Sequence, residues 1–472
     1  MTKPGLRDRA ITNVARALVR CFYRSVETEG TPPPAGPVIL AASHLNGFVD
    51  PVVLVSRLRT FPRFLAKATL WNVAIARPPL AFARVIPVHR RQDRPTGASG
   101  TPDPGKTENL GAFDSAVAAL GTGAMLAVFA EGTTHDDPTI RPLRTGVARI
   151  ALQAAAAGIE GVQVVPVGVS YEDKVAVRGR AIVSYGTPIT VAPGPGLLDA
   201  SGEPDRVHVR ALTDQLQVSI QALTPNFAST EQALALNTAA QITLRSAPGA
   251  AQPVPLAQVA GMARRLSTAG PDTVDGLVSL VARYQMLLGF VRLDDDDVMV
   301  TGRLRTLARR VIVLGILVVF LSPFALAGLF ANLIPVVGVL VAGLAVKAPV
   351  TKGTIRFLVA AVVFPATWVA LALGDASSGW FGEVARRVTY PANTLLGPTA
   401  GDRSGWMANV VVMVGVPLLG VIALVMAERL GALIRSVVSW RTLIDRRGQL
   451  MEIRARRADV VTATTAALKE SR

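Results

Sequence analysis

The chain has 472 residues, of which 50% are hydrophobic and 17% are charged, and its formal net charge is +16. This length exceeds what one compact domain usually holds, so we expect at least two parts. The apolar composition argues against a wholly soluble protein. Because the arginines lie beside long apolar runs rather than in basic-aromatic clusters, we expect anionic membrane lipids as partners and no nucleic acid.

Residues 1–36 predict an amphipathic helix that lies at a membrane surface. Apolar residues recur near helical spacing between Arg7 and Glu29, and four arginines are interleaved with them. Such a helix could meet lipid phosphates through its arginines. A helix docked on a globular domain gives the same pattern, so both interpretations stay open. The proline-rich segment 31–37 ends the helix.

Residues 37–225 alternate between short apolar strands and helices. This pattern predicts an α/β domain with a mixed sheet flanked by helices. The predicted strands are Val38–Ala42, Arg84–Val88, Ala124–Phe129 and Val162–Val169. The predicted helices are 51–58, 113–120 and 145–157. Residues 226–302 predict a helical linker in which no chemistry is recognisable.

Residues 303–430 predict a helical transmembrane region of about four spans, because each apolar run approaches the length that crosses a bilayer. The predicted spans are 311–329, 331–346, 357–373 and 406–426. Basic residues flank these runs, which favours both ends of the region in the cytoplasm. Residues 431–472 then predict a basic cytoplasmic helix. Buried helices of a large soluble core are the alternative.

The first chemically informative segment reads Ser-His-Leu-Asn-Gly-Phe-Val-Asp-Pro over residues 43–51. On a continuous helix His44 and Asp50 would face different directions, so their pairing requires an irregular turn, which an Asn-Gly pair can supply. Pro51 suits a first helical position, so we expect Asp50 just before a helix. A carboxylate-held imidazole is suited to general-base catalysis. Alone, the segment fits an N-cap aspartate beside a packed histidine equally well.

Later segments place further polar groups at predicted strand ends. Two adjacent guanidiniums after the second strand could clamp a phosphate, and a glycine-containing turn after the third could expose backbone N–H groups. A solvated basic loop and a plain turn are the alternatives. In chain order these segments contribute Arg90 and Arg91, then Glu131, Gly132 and Thr133, then Arg144, and finally Pro166.

The order of these motifs resembles the glycerolipid acyltransferase family. The shared features are His followed by Asp, Arg after Ile-Pro-Val, Phe-x-Glu-Gly-Thr and Val-Pro-Val-Gly. The commoner family motif has Asp five positions after His, whereas this chain has one extra residue. Its His-x-Asn-x-Phe-x-Asp-Pro is similar to the eukaryotic-type glycerol-3-phosphate and dihydroxyacetone-phosphate acyltransferases of the fungal branch. The resemblance covers residues 15–225 and, in layout alone, the C-terminal part.

The resemblance implies that His44 deprotonates the acceptor hydroxyl while Asp50 orients His44. The alkoxide then attacks the acyl thioester directly, without an acyl-enzyme. The resemblance also implies that the three arginines hold the phosphate, that the Glu-Gly-Thr segment shapes the glycerol end of the site, and that the proline forms the wall that meets the acyl chain. The residues implied in substrate binding are Asn46, Arg90, Arg91, Glu131, Gly132, Thr133, Arg144 and Pro166. Acyl-CoA is the expected co-substrate, and we expect no cofactor and no metal.

We therefore expect acylation of glycerol 3-phosphate, or of dihydroxyacetone phosphate, in phospholipid biosynthesis. Acylation of lysophosphatidate or another lysolipid is the alternative. A third hypothesis is a four-span transporter or scaffold with a degenerate enzyme domain. The spans contain few ionisable residues, which argues against ion transport. We expect a bacterial-type cytoplasmic membrane with the active site on its cytoplasmic face, or else the endoplasmic reticulum.

Overall fold

A computed structural model describes residues 5–72, 74, 77–88, 104–224, 226–247, 249, 253–300, 304–346, 348–375, 403–445 and 447–471. The chain divides into two compact units. The first consists of Met1–Val274 with Ala467–Arg472, and the second of Asp275–Ala466.

The first unit is built on an eight-stranded mixed sheet. Its strands are β1 (Tyr23–Glu29), β2 (Val38–Ala42), β3 (Arg63–Lys67), β4 (Ile86–Val88), β5 (Leu126–Phe129), β6 (Val162–Tyr171), β7 (Gly179–Tyr185) and β8 (Ile189–Val191). The order is β1-β7-β6-β2-β5-β3-β4, with β8 paired to β6. Strands β2 to β6 run parallel, and β7, β1 and β8 run opposite to them. The predicted α/β class is confirmed.

Helices cover both faces of this sheet. They are α1 (Leu6–Phe22), α2 (Val49–Ser56), α3 (Arg77–Phe82), α4 (Pro104–Gly121), α5 (Gly146–Ala156), α6 (Arg206–Leu223), α7 (Thr230–Ser246) and α8 (Leu256–Leu266). Ile39 and Ala41 of β2 pack into the core that α4, α5 and α6 close, and the alternate residue Leu40 is buried on the other face. A strand buried on both faces reads as a continuous apolar run, as β2 does.

The N-terminal segment differs from the predicted interfacial helix. Helix α1 ends at Phe22, and residues 23–29 form β1, which pairs with β7 inside the sheet. One face of α1 is buried, and Arg16 donates hydrogen bonds to the backbone carbonyls of Ser56 and Leu58. This arginine is therefore used within the domain, because it satisfies carbonyls at the C-terminal end of α2.

From Pro271 onward the described elements are all helical. They are α9 (Pro271–Val291), α10 (Asp295–Val300), α11 (Leu304–Ala331), α12 (Leu333–Ala345), α13 (Pro349–Asp375), α14 (Arg403–Asp445) and α15 (Arg447–Glu470). Among the described residues four helical segments are long and apolar enough to cross a membrane. They are Pro271–Val291, Ala308–Ala331, Thr351–Leu373 and Val412–Thr442.

These segments differ from the predicted spans at two places. The second predicted span, 331–346, contains α12, whose 13 residues extend about 20 Å and fall short of a hydrocarbon core of about 30 Å. The helix Pro271–Val291 lies instead in the predicted linker. The predicted division of this apolar run into two helices is confirmed, because α11 ends at Ala331 and α12 begins at Leu333.

Asn332 is the polar centre of the packing in the second unit. It is buried, and its side-chain amide donates to the carbonyls of Gly328 and Val416, 2.9 and 3.3 Å away. The indole N–H of Trp368 donates to its side-chain oxygen at 2.8 Å. Gly328 lies directly against the Leu419 backbone, so a Cβ there would collide with that carbonyl. Small residues allow such close helix crossings between apolar helices.

We expect Gly328→Ala to destabilise the second unit, because its methyl group has no space at this crossing. The expected cost is about 1–3 kcal/mol of unfolding free energy. Gly315→Ala on the same helix is the matched control, since no atom lies within 4 Å of its added Cβ. Thermal unfolding of the purified protein in detergent measures both variants. Equal unfolding temperatures for the two would contradict the close crossing.

Candidate active site

The predicted catalytic residues meet at the carboxyl edge of the parallel strands. Strands β6, β2 and β5 are neighbours and point the same way. His44 follows β2, Glu131 follows β5, and Tyr171 ends β6. Because parallel strands present their carboxyl ends on one edge, residues distant in sequence converge there.

His44 and Asp50 form the predicted pair. Nδ1 of His44 lies 2.9 Å from Oδ2 of Asp50, whose side chain is fully buried, while 14% of the His44 side chain is exposed. A carboxylate accepts hydrogen bonds, so Nδ1 carries the donated proton and Nε2 keeps its lone pair. Nε2 has no hydrogen-bond partner among the described residues. This tautomer is the one that a general base requires.

The Asp50 carboxylate is held by three donors. Besides His44, it accepts the backbone N–H of Asn46 at 2.8 Å on Oδ2 and the hydroxyl of Tyr171 at 2.5 Å on Oδ1. Helix α2 begins at Val49, so Asp50 lies in its first turn and not just before it, as the sequence predicted. A negative charge in the first turn is stabilised by the helix dipole.

Tyr171 is the group that sequence reasoning missed. Burial, and next the nearby Asp50 carboxylate, raise the pKa of Tyr171 well above its ordinary value. The phenol therefore stays protonated and remains a donor to Asp50 throughout the neutral range. Burial also raises the pKa of Tyr23, whose ring centroid lies 5.8 Å from that of Tyr171. The feature of the sequence that could have indicated Tyr171 is its position at the end of the apolar segment that forms β6.

Glu131 positions the His44 loop from the other side. Its Oε1 accepts the backbone N–H of His44 at 2.8 Å, and its Oε2 accepts the backbone N–H of Arg141 at 3.0 Å. His135 also bonds Oε2 through Nε2, while its Nδ1 accepts the N–H of Asp137 at 3.2 Å. The Nδ1 contact assigns the proton to Nε2, so His135 donates to Glu131. The buried Glu131 carboxylate thus holds the backbone of two loops, the one that contains His44 and the one that contains Arg141.

Two further contacts restrain the His44 ring and its loop. The imidazole stacks on Phe129, the last residue of β5, with 4.0 Å between ring centroids. Ser43 bonds β6 twice, since its N–H donates to Val167 at 3.0 Å and its hydroxyl accepts from Val169 at 2.9 Å. The loop after β2 is therefore held by contacts with both neighbouring strands, β5 and β6.

Gly132 and Arg144 form one corner of the site. Gly132 has φ +72°, a conformation that favours glycine, and a Cβ there would lie 3.1 Å from Cγ of Arg144. The Arg144 N–H donates to the carbonyl of Ala130 at 2.8 Å, which holds the arginine beside this turn. The Arg144 side chain is exposed, and within the described residues its guanidinium makes no hydrogen bond or ion pair.

The remaining predicted residues have more varied positions. Asn46 is buried and donates its side-chain amide to the Lys174 carbonyl at 3.0 Å, which closes the loop. Thr133 is half-buried in the turn after Gly132. Pro166 lies inside β6 opposite Ala41 of β2. Arg90 and Arg91 lie outside the described residues, so their part in phosphate binding stays a prediction.

Sequence comparisons identify the domain that carries this site. Residues 24–170 match the family profile described as Acyltransferase. Residues 24–170 form an acyltransferase-family domain. The match includes His44, Asp50 and Glu131 and ends one residue before Tyr171.

The relatives extend this assignment. Glycerol-3-phosphate O-acyltransferase 2 of Saccharomyces cerevisiae is 40% identical over 87 residues, which are 18% of this chain and 12% of that protein. Glycerol-3-phosphate O-acyltransferase 1 of the same yeast is 24% identical over 319 residues, or 50% of this chain and 42% of that protein. The chain therefore spans less than half the length of these curated relatives.

A solved structure also resembles the chain. It is the 1-acyl-sn-glycerophosphate (LPA) acyltransferase PlsC of Thermotoga maritima, with 17% identity and a TM-score of 0.32. The alignment covers 46% of this chain and 77% of that one. A likeness at this level carries no argument about the reaction.

Tyr171→Phe tests the third donor on Asp50. Losing a hydrogen bond to a charged group costs about 1.5–3 kcal/mol, so we expect acyl transfer to fall by about tenfold or more. Without the hydrogen bond from Tyr171, the Asp50 charge is less stabilised and therefore attracts a protonated His44 more strongly. The acidic limb of the pH–activity profile should therefore move to higher pH.

A purely structural role for Tyr171 would lower activity without moving the pH profile. Tyr185→Phe is the matched control, because Tyr185 is also a buried tyrosine at the end of a strand but has no contact with Asp50. The two variants are compared by initial rates across the neutral range. An unmoved acidic limb in Tyr171→Phe would show that its hydroxyl does not act through Asp50.

Proposed function

We propose that this protein transfers a fatty acyl group from acyl-CoA, or another acyl thioester, to the 1-hydroxyl of glycerol 3-phosphate. The observation that carries the proposal is the His44–Asp50 pair, 2.9 Å apart, with Nε2 of His44 left to accept a proton. The pair lies within an acyltransferase-family domain. Dihydroxyacetone phosphate is a further candidate acceptor.

In the proposed reaction Nε2 of His44 takes the proton of the acceptor hydroxyl. The oxygen attacks the thioester carbonyl, an ester C–O bond forms, and the C–S bond breaks. The thiolate leaves and takes up the proton from His44, so the base is regenerated and a free thiol is released. Asp50 stabilises the imidazolium between these two proton transfers without itself being protonated.

The proposed acceptor phosphate binds at the corner formed by Gly132 and Arg144. Arg144 is an exposed cation without a protein partner in the described part of the chain, and guanidinium binds phosphate bidentately. Arg90 and Arg91 are proposed to add charge from the segment after β4. Pro166 is proposed to contribute to the wall that meets the acyl chain.

Two observations support glycerol 3-phosphate over a lysolipid as acceptor. The spacing of His44, Asn46, Phe48 and Asp50 resembles that of the glycerol-3-phosphate branch, and both yeast relatives carry that activity in their names. The apolar helices would keep the enzyme at the bilayer that receives its lipid product. We propose a cytoplasmic membrane with the site facing the cytosol, where a soluble thioester is supplied.

His44→Ala tests the general base. We expect acyl transfer to fall by about 10²–10⁴-fold, since general-base catalysis contributes that range. The measurement is transfer of radiolabelled acyl groups by detergent-solubilised protein, with glycerol 3-phosphate and lysophosphatidate offered separately. Label in lysophosphatidate indicates the proposed first acylation, and label solely in phosphatidate moves the assignment to the lysolipid step.

His208→Ala is the matched control for this experiment. His208 also lies 2.9 Å from a carboxylate, that of Asp205, but the pair is exposed at the start of α6. We expect this variant to retain activity. Full activity of His44→Ala with either acceptor would overturn the proposed mechanism.

Arg144→Gln tests phosphate recognition. We expect KM for glycerol 3-phosphate to rise by about tenfold to a hundredfold, as a charge-assisted phosphate contact is worth about 1.5–3 kcal/mol. KM for the acyl donor should change little. Arg141→Gln is the control, because that guanidinium is already bound to Asp137 at 2.6 Å. Equal KM values for the two variants would remove Arg144 from the acceptor site.

A further inference from the structure

A second basic site lies at the opposite edge of the same sheet. A cavity of about 260 Å³ opens at the amino ends of β2, β3 and β5. Its lining includes three arginines, one carboxylate and several apolar side chains. The residues that matter here are Arg7, Asp8, Arg63, Arg84, Phe61 and Met125.

Among the described residues that line this cavity, the one carboxylate, that of Asp8, is outnumbered by three guanidiniums. Within the described residues, no guanidinium of Arg7, Arg63 or Arg84 forms an ion pair or a hydrogen bond. Arg7 instead stacks over the ring of Phe82, 4.8 Å from its centroid. Three unpaired cations around one concave surface concentrate a positive potential that attracts anions.

Arg84, which lines the cavity, has a strained backbone conformation. Arg84 has φ +48°, in the left-handed region, and terminates α3. The N–H of Arg84 donates to Ala81 at 3.0 Å and that of Val85 to Leu80 at 3.1 Å, the pattern of a helix C-cap. Glycine is the usual residue at such a position because it avoids the strain. Strain retained by a charged residue points to a use for its side chain.

This cavity is separate from the site that contains His44. Met125 on its floor and Ala130 beside Glu131 lie at opposite ends of β5, roughly 16 Å apart along an extended strand. Arg84 precedes β4, whereas Arg90 and Arg91 follow it. An arginine at the amino edge cannot hold an acceptor whose hydroxyl must reach His44 at the carboxyl edge.

We propose that this amino-edge cavity is a binding site for a phosphate group, held by Arg7, Arg63 and Arg84. Guanidinium forks bind phosphate oxygens bidentately, and a cavity lined by three of them suits a phosphate monoester. The bound group belongs either to a lipid headgroup or to a soluble phosphate compound. The exposed side chains of Leu6 and Phe82, 86% and 54% exposed, adjoin Arg7 and could meet a lipid's apolar part. This site goes beyond the proposed reaction.

Titration calorimetry on the full-length protein in detergent tests the site with three probes. They are inorganic phosphate, dioctanoyl phosphatidic acid and dioctanoylglycerol, which lacks phosphate. The variants are Arg84→Gly, which keeps the helix cap and relieves its strain, and Arg84→Gly combined with Arg63→Gln. We expect affinity for a phosphate-bearing probe to fall about tenfold for each guanidinium lost. Arg210→Gln, at an exposed arginine of α6, is the matched control.

The outcomes distinguish the two sources of phosphate. Weakened binding of both inorganic phosphate and phosphatidic acid supports a general phosphate site. Weakened binding of phosphatidic acid alone supports a lipid headgroup. Affinities of the Arg84→Gly protein that equal those of Arg210→Gln for all probes would overturn the proposal. The His44-dependent transfer assay is independent of these results, so either proposal can fail alone.

Discussion

The acyltransferase domain depends on a charge buried where three strands end. The Asp50 side chain is fully buried, and an ionised carboxylate is costly to remove from water unless donors surround it. Its donors come from the His44 imidazole, the Asn46 backbone and the Tyr171 hydroxyl. Satisfying this one group therefore closes the loop after β2 onto the first turn of α2 and ties that turn to β6.

Glu131 applies the same constraint to the next strand. Its carboxylate accepts hydrogen bonds from the backbone N–H groups of His44 and Arg141 and from Nε2–H of His135. His44 is thus fixed by one buried acid through its ring and by another through its backbone. Both contacts restrict the position of the imidazole, which is the preorganisation that the proposed general base requires. Glu131 therefore positions backbone on two loops, and Gly132 and Arg144 lie beside it.

The direction of the strands places Arg84 away from the His44 site. Arg84 precedes β4 and lies at the amino edge of the sheet, whereas His44 follows the carboxyl end of β2. In the second unit the corresponding buried polar group is Asn332, whose side-chain amide forms hydrogen bonds with residues of three helices. In both units a few buried polar groups decide which segments meet, and apolar contacts fill the space around them.

The sequence by itself determined the α/β class, strand β2, the pairing of His44 with Asp50, and the apolar character of the C-terminal helices, because hydrophobic periodicity and residue chemistry are local. It misassigned β1 as helix, since Tyr23–Glu29 becomes a strand through pairing with β7, whose paired residues lie about 155 positions later in the chain. Only the tertiary structure decided that Tyr171 completes the Asp50 site and that Arg84 lies away from it. Those facts depend on strand order and direction, which arise from contacts between segments far apart in the chain.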